Sequence, residues 1–237
     1  MGSEAESRAL VLFSGGQDSA TCLAWALDRF DAVETIAFDY GQTHKIELQV
    51  REAFLSNLRD AFPDWSAKLG PDRLVEMGFL ADLTGSALTG GGALETGPDG
   101  LPTSFVPGRN LLFLAAAASY GYERGLRDLV IGAGEVDFSG YPDCRDATMK
   151  ALVPALSLGL GSDYDIHAPL MRCDKASTWA LARELGGDAV VELILEHTHS
   201  CYRGVRDTRH DWGYGCGDCP ACTLRAEGWR GYVDWFR

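Results

Sequence analysis

The chain has 237 residues, 34 of them acidic against 21 Lys plus Arg, a formal net charge of −13 and 46% hydrophobic residues. That length suits one large α/β domain with a small appendage. The charge, with no basic block, disfavours a nucleic-acid partner, and no apolar run approaches the ~18 residues that a membrane span needs.

Residues 1–7 are polar and acidic and carry no signal-peptide pattern. The expected compartment is the cytoplasm. There, seven cysteines, three of them tightly clustered, read as metal ligands rather than disulfides.

The first apolar run, 8–13, reads as a buried strand, and residues 20–27 have the apolar spacing of a helix. Between them lies Ser14-Gly15-Gly16-Gln17-Asp18-Ser19. Two glycines let the backbone turn sharply and let a ligand approach. Asp18 and Ser19 suit a first helical turn or cap. Free N–H groups at a helix N-terminus bind anions, so the natural ligand is a phosphate or pyrophosphate. The pattern lacks the Gly-Lys of G-x-x-x-x-G-K-[ST] and is not G-x-G-x-x-G. S-G-G-x-D-S after a strand resembles the pyrophosphate loop of the ATP-pyrophosphatase (PP-loop) superfamily. Its members cleave ATP between the α and β phosphates and pass AMP to a substrate oxygen.

A second strand is expected at 33–38, a helix at 43–61 ended by Pro63, and a third strand at 74–77. Residues 84–100, rich in Gly, Thr and Ser, read as a long mobile loop of the lid type. A strong helix follows at 111–124 and a buried strand at 129–132. The polar segment 134–146 is placed at that strand's carboxyl end, where open α/β sheets bind ligands. A helix at 146–160, a last strand at 166–170 and a helix at 174–185 capped by Asp174 complete the alternation of a parallel sheet with crossover helices.

Cys201, Cys216, Cys219 and Cys222 share a tail of different character. Four thiolates with short spacings suit a closed tetrahedral structural Zn²⁺ site. An iron–sulfur cluster is the rival reading, less suited because the fourth Cys lies upstream. Cys22 reads as helix core, and Cys144 either as a reactive thiol or, more simply, as packing.

Further motifs are Phe38-Asp39-Tyr40-Gly41-Gln42, Phe105-Val106-Pro107-Gly108-Arg109-Asn110, residues 137–146 (DFSGYPDCRD), Pro169-Leu170-Met171, Asp174-Lys175-Ala176 and residues 216–222 (CGDCPAC). Together with the S-G-G-x-D-S loop, they resemble the QueC family of preQ0 (7-cyano-7-deazaguanine) synthases over about residues 8–229. The resemblance implies a Rossmann-like PP-loop α/β fold, a parallel sheet with helices on both faces. It places an ATP and substrate domain at 8–196 and a small C-terminal zinc subdomain at 197–237.

It also implies an ATP- and Mg²⁺-dependent ligase. The carboxylate of 7-carboxy-7-deazaguanine is adenylated, ammonia gives the amide, and a second activation gives the nitrile. Phe13, Ser14, Gly15, Gly16, Gln17, Asp18 and Ser19 would hold the nucleotide phosphates, with Phe38 and Tyr40 near adenine. Asp18 is the candidate Mg²⁺ contact, and Arg109 and Lys175 are the candidate phosphate cations. Glu135, Asp137, Asp143 and Arg145 are placed on the deazaguanine. A homodimer is expected.

The chain departs from the family pattern at Thr43, Thr103, Val136, Arg172 and Cys173. These changes leave open a paralogue that couples the same acid as an amide to a protein or other amine, a role of the kind QueC-like proteins have in antiviral gene clusters. A catalytically silent nucleotide-binding module is a further alternative. A tRNA-thiolating enzyme is disfavoured by charge and by the lack of a paired catalytic-cysteine arrangement.

Overall fold

The computed structural model describes residues 6–136 and 140–236. Five parallel strands form one sheet in the order β3-β2-β1-β4-β5: β1 (Arg8–Leu12), β2 (Ala32–Asp39), β3 (Leu69–Glu76), β4 (Asp128–Val130) and β5 (Asp165–His167). Period-2 alternation in β1 splits the core. Ala9, Val11 and Phe13 face one layer, and Leu10 and Leu12 the other. The first layer holds α1 (Gln17–Arg29), α2 (Ile46–Ala61) and α8 (Lys175–His197), and the second α6 (Arg109–Tyr122) and α7 (Asp146–Leu160). This is the expected α/β sheet with helices on both faces.

From β1 the chain runs outward through β2 and β3 and then returns to the other side of β1 with β4. The order therefore reverses between β1 and β4. That switch point opens a crevice at the strands' carboxyl ends, and the loop after β1 lies there.

Several elements differ from expectation. The helix after β2 starts at Ile46, and Pro63, instead of closing the region, starts a short α3 (Pro63–Lys68). Strand β3 begins at Leu69, five residues early. It is an edge strand whose Gly70-Pro71-Asp72-Arg73 lacks an apolar signal. The 84–100 stretch holds α5 (Ala87–Gly90) after α4 (Phe79–Leu83), and Thr96 bridges to Pro102. Asp174 caps α8 as expected, its carboxylate accepting from Ser177 N–H at 2.8 Å. Its first helical part ends at residue 185 as expected, because Gly186 (φ −140°, ψ 18°) and Gly187 (φ 66°, ψ −162°) are non-helical; a second helix, not expected, resumes beyond the kink and runs to His197.

The tail adds the two-residue strands β6 (Arg209–His210) and β7 (Gly213–Tyr214) and helix α9 (Pro220–Trp235). Helix α9 packs against α8, Trp229 meeting Trp179 edge-on at 5.0 Å. At the crossing, a Cβ on Gly228 would meet the Lys175 side chain and lie 2.8 Å from its carbonyl carbon. Gly228→Ala is therefore expected to cost about 1–3 kcal/mol of stability, read as a lower urea midpoint; an unchanged midpoint would show that the two helices part freely here.

Candidate functional site

A cavity of about 310 Å³ sits at the switch point. Its floor is the loop 14–19, which is braced internally. Ser14 Oγ lies 3.2 Å from Ser19 Oγ and accepts from Gly16 N–H at 3.2 Å, while Ser19 Oγ donates to Gly16 C=O at 3.0 Å. Gly16 is the N-cap of α1 and Asp18 lies in its first turn. Gly15 and Gly16 N–H are engaged by the Ser19 and Ser14 hydroxyls, and the first-turn N–H groups of α1 that follow have no partner within the helix, the donors that anion binding uses.

Both glycines are demanded by packing as well as by any ligand. Gly15 has φ +98°, and a Cβ there would strike the Glu47 carbonyl and approach Arg51 Cγ at 2.8 Å. A Cβ on Gly16 would lie 3.0 Å from Glu47 Oε1 and 3.5 Å from the His199 carbonyl. The first turn of α2 and the segment after α8 thus press directly on the loop. Gly132, just after β4, plays the same part on a third side, with Asp18 Cβ 3.2 Å from its Cβ position.

Charged groups converge on this floor. Lys175 Nζ donates to Asp18 Oδ2 at 2.6 Å, joining residues 157 apart in sequence. The other carboxylate oxygen, Asp18 Oδ1, is buried with no hydrogen-bond partner among the described residues. Arg109, the first residue of α6, lies with its guanidinium carbon 5.6 Å from the Tyr40 ring and 5.9 Å from Tyr141, and donates to Tyr40 Oη at 3.4 Å. No carboxylate forms a salt bridge with it among the described residues; Asp143 and Glu47 act on it only through space, and it lines the cavity. Glu47 also lines the cavity, and burial pushes its carboxyl from 4.5 up to about 7, with Arg109 opposing and Asp18 adding to the rise.

The expected site residues separate by position. Ser14, Gly16, Gln17, Asp18, Ser19, Phe38, Tyr40, Arg109 and Lys175 line the cavity. Phe38 stacks on Phe113 with ring centroids 4.4 Å apart. The Phe13 ring is fully buried in the core against Phe54. Asp143 is buried and accepts from Asn110 N–H at 2.9 Å, which fixes the start of α6 and hence Arg109. Glu135 and Arg145 are exposed and off the cavity lining. Asp137 lies outside the described residues.

Sequence reading passed over Glu47, Gly132, His199, Tyr202 and Arg225. Glu47 looked like an ordinary first-turn acid. Gly132 was read only as the end of a strand, and His199, Tyr202 and Arg225 gave no signal because only the folded tail brings them to the cavity.

Cys201, Cys216, Cys219 and Cys222 converge with all four Sγ atoms within 4.8 Å of one another. The Cys216–Cys222 and Cys219–Cys201 separations are 3.8 and 4.0 Å. A tetrahedron with Zn–S bonds of about 2.3 Å has edges of about 3.8 Å, so the donor set fits a closed zinc site. Hydrogen bonding from Cys222 pulls the Cys219 thiol down to about 5, while the same contact pushes Cys222 up. Crowded thiols share protons this way until a cation replaces them.

The cluster is tied to the loop. Fully buried Arg225 of α9 donates to the carbonyls of Trp212 and Ile194 at 2.9 and 3.0 Å and to the hydroxyls of Thr198 and Ser200 at 2.9 and 3.2 Å. Between those hydroxyls, His199 N–H donates to Gly15 C=O at 3.0 Å.

Comparison with known proteins agrees with this layout. The family model for "Queuosine biosynthesis protein QueC" matches residues 8–233. The 7-cyano-7-deazaguanine synthase of Rhodopseudomonas palustris (strain BisB18) is 60% identical over 224 residues, 94% of this chain and 93% of its own. That of Nitrobacter hamburgensis is 60% identical over 225 residues, 95% and 94% of the two chains. That of Nitratidesulfovibrio vulgaris (strain DP4) is 57% identical over 228 residues, 96% and 94%. Among solved structures, a 4-thiouridine synthetase in complex with RNA and ATP superposes with a TM-score of 0.50 at 18% identity, over 96% of this chain and 51% of that one, a likeness of fold alone. Matched over nearly its whole length, the chain belongs to the QueC family.

Proposed function

We propose that this protein is an ATP-dependent carbon–nitrogen ligase that adenylates 7-carboxy-7-deazaguanine and, with ammonia, converts it to 7-cyano-7-deazaguanine. The observation that carries the reading is the S-G-G-x-D-S loop, paired through Asp18 to Lys175, facing Arg109 across one cavity in a chain 60% identical to synthases so named.

A carboxylate is a poor electrophile, and transfer of AMP turns its oxygen into a leaving group. The protein's task is to gather a triphosphate and a carboxylate and to neutralise them in a fixed arrangement. The N–H groups of the loop and the Ser14 and Ser19 hydroxyls hold the β and γ phosphates. Lys175 and Arg109 supply positive charge, the former fixed by Asp18 and the latter by the two tyrosines. Phe38 and Tyr40, at the end of β2, offer an aromatic wall for adenine. Mg²⁺ would fit the orphaned Asp18 Oδ1 and, when bound, would offset phosphate charge.

Glu135, Asp137 and Arg145 are carried over from the family motif as deazaguanine contacts; Asp143 acts in this reading through its hold on Asn110. Of the five departures from the family pattern, Thr43 lines the cavity. No helix among the described residues is long and apolar enough to cross a membrane, in keeping with a cytoplasmic enzyme. A homodimer would cover exposed apolar side chains on α6 and α7, where Leu111 and Leu112 are each 38% exposed and Leu158 85%. The division at residue 197 follows the tail's change of character, with zinc as the tail's organising ion.

Two outcomes follow. Incubation with Mg-ATP, the carboxylate and ammonium is expected to give AMP and the nitrile by mass spectrometry; AMP with amide alone would move the reading to the amide-forming paralogue, and no AMP would sink both. Elemental analysis is expected to find one zinc per chain, and Cys222→Ser to lose it together with several degrees of melting temperature; a zinc-free protein of undiminished stability would refute the structural site.

A further inference from the structure

If the proposed reaction is correct, its nitrogen chemistry sets a requirement that the residues named so far do not meet. Ammonia brings three protons, and the nitrile keeps none. In the first round nitrogen attacks the acyl-adenylate: the N–C bond forms, the C–O bond to AMP breaks with its electron pair leaving on the phosphate oxygen, and one proton departs from nitrogen. In the second round the amide oxygen is adenylated, and AMP leaves with the C–O electron pair as the C≡N bond forms and nitrogen sheds its two remaining protons. All three protons come off one atom in one place, so a single base that hands each proton to water before taking the next serves both rounds.

The cavity lining contains two carboxyl groups among the described residues, Asp18 and Glu47. Asp18 is engaged by Lys175 at 2.6 Å. The Glu47 carboxyl makes no hydrogen bond or ion pair among the described residues, and its Oε1 lies beside the loop, 3.0 Å from the Gly16 Cβ position. The charges that face it are Arg109 from α6, Asp18 from α1 and Arg225 from α9, with the phenols of Tyr40 and Tyr202. Lys175, His44 and His199 share the cavity. Glu47 therefore stands beside the phosphate loop and in the field of Arg109, the two groups that would bracket the reacting acyl phosphate.

We propose that Glu47 is the catalytic base that removes protons from the nitrogen nucleophile. The value of about 7 to which burial raises it suits proton transfer at neutral pH. The rival imidazole, His199, is pulled down to about 4 by burial and by Arg206 and Arg225, and so is the weaker base. His44 is exposed.

The test separates activation from amination. Activation is read as exchange of labelled pyrophosphate into ATP with Mg²⁺ and 7-carboxy-7-deazaguanine in the absence of ammonium. Amination is read as amide plus nitrile formed, per unit of free ammonia. Glu47→Gln is expected to keep exchange within about threefold and to lower amination by about 10²–10⁴-fold. The wild-type amination profile is expected to rise with pH through about 7, where Glu47 loses its proton, and the variant's profile to be flat there. Hydroxylamine, read as hydroxamate per unit of free amine, is expected to narrow the deficit, because its adduct is the stronger N–H acid and gives its proton to water more readily.

Retained exchange also certifies that the variant is folded. If exchange falls as far as amination, Glu47 serves the nucleotide or its metal and the proposal is overturned. It is overturned as well if the variant aminates normally or keeps the acid limb. Absence of exchange in the wild type would instead refute the functional reading on which the proposal rests.

Discussion

The site depends on a steric constraint at the loop after β1: the Glu47 carbonyl approaches Gly15 more closely than a side chain there would allow, and Asp18 and Ser19 leave Gly132 little room for one. A loop so held is fixed before any ligand arrives, and little conformational entropy is left for binding to remove. The same approach brings Glu47 to the cavity. Helix α2 cannot pack on the loop without delivering its first-turn side chain to the cavity.

The charges follow from that arrangement. Asp18 and Lys175 are 157 residues apart, yet they meet because α1 and α8 begin at the same end of the sheet. Each helix N-terminus adds its own partial positive charge there. Arg109 starts α6 across the cavity, held by Tyr40 and by the grip of Asp143 on Asn110. Three helix starts and three cations, Lys175, Arg109 and Arg225, stand around a crevice lined by two carboxyl groups, in a chain of net charge −13. The overall charge and the local field thus carry separate messages, the first about nucleic acid and the second about phosphate.

Most of the sheet was legible in the sequence because β1, β2 and the helices beside them carry strong apolar periodicity. The exceptions have physical causes. Strand β3 is an edge strand with exposed polar residues, and the helix that resumes after the non-helical pair Gly186-Gly187 follows a break that reads as an end. The loop 14–19 and the four cysteines were legible because their chemistry is local in sequence. Glu47, His199 and Arg225 were not, because their significance lies in what the fold places beside them, and a single acid, imidazole or guanidinium carries no spacing signal. Asp143 and Arg145 illustrate the converse. They stand in one short motif, yet one is buried at the start of α6 and the other is exposed.

Arg225 gives the tail a meaning beyond metal binding. Its guanidinium is buried without a carboxylate, satisfied entirely by carbonyls and hydroxyls from three segments, one of which holds the loop through His199. Peeling α9 away would expose those acceptors and release the brace on Gly15 in a single event. Loss of α9 would therefore take Arg225 with it and loosen the segment that holds Gly15, so the floor of the cavity depends on a helix far along the chain from the loop that forms it.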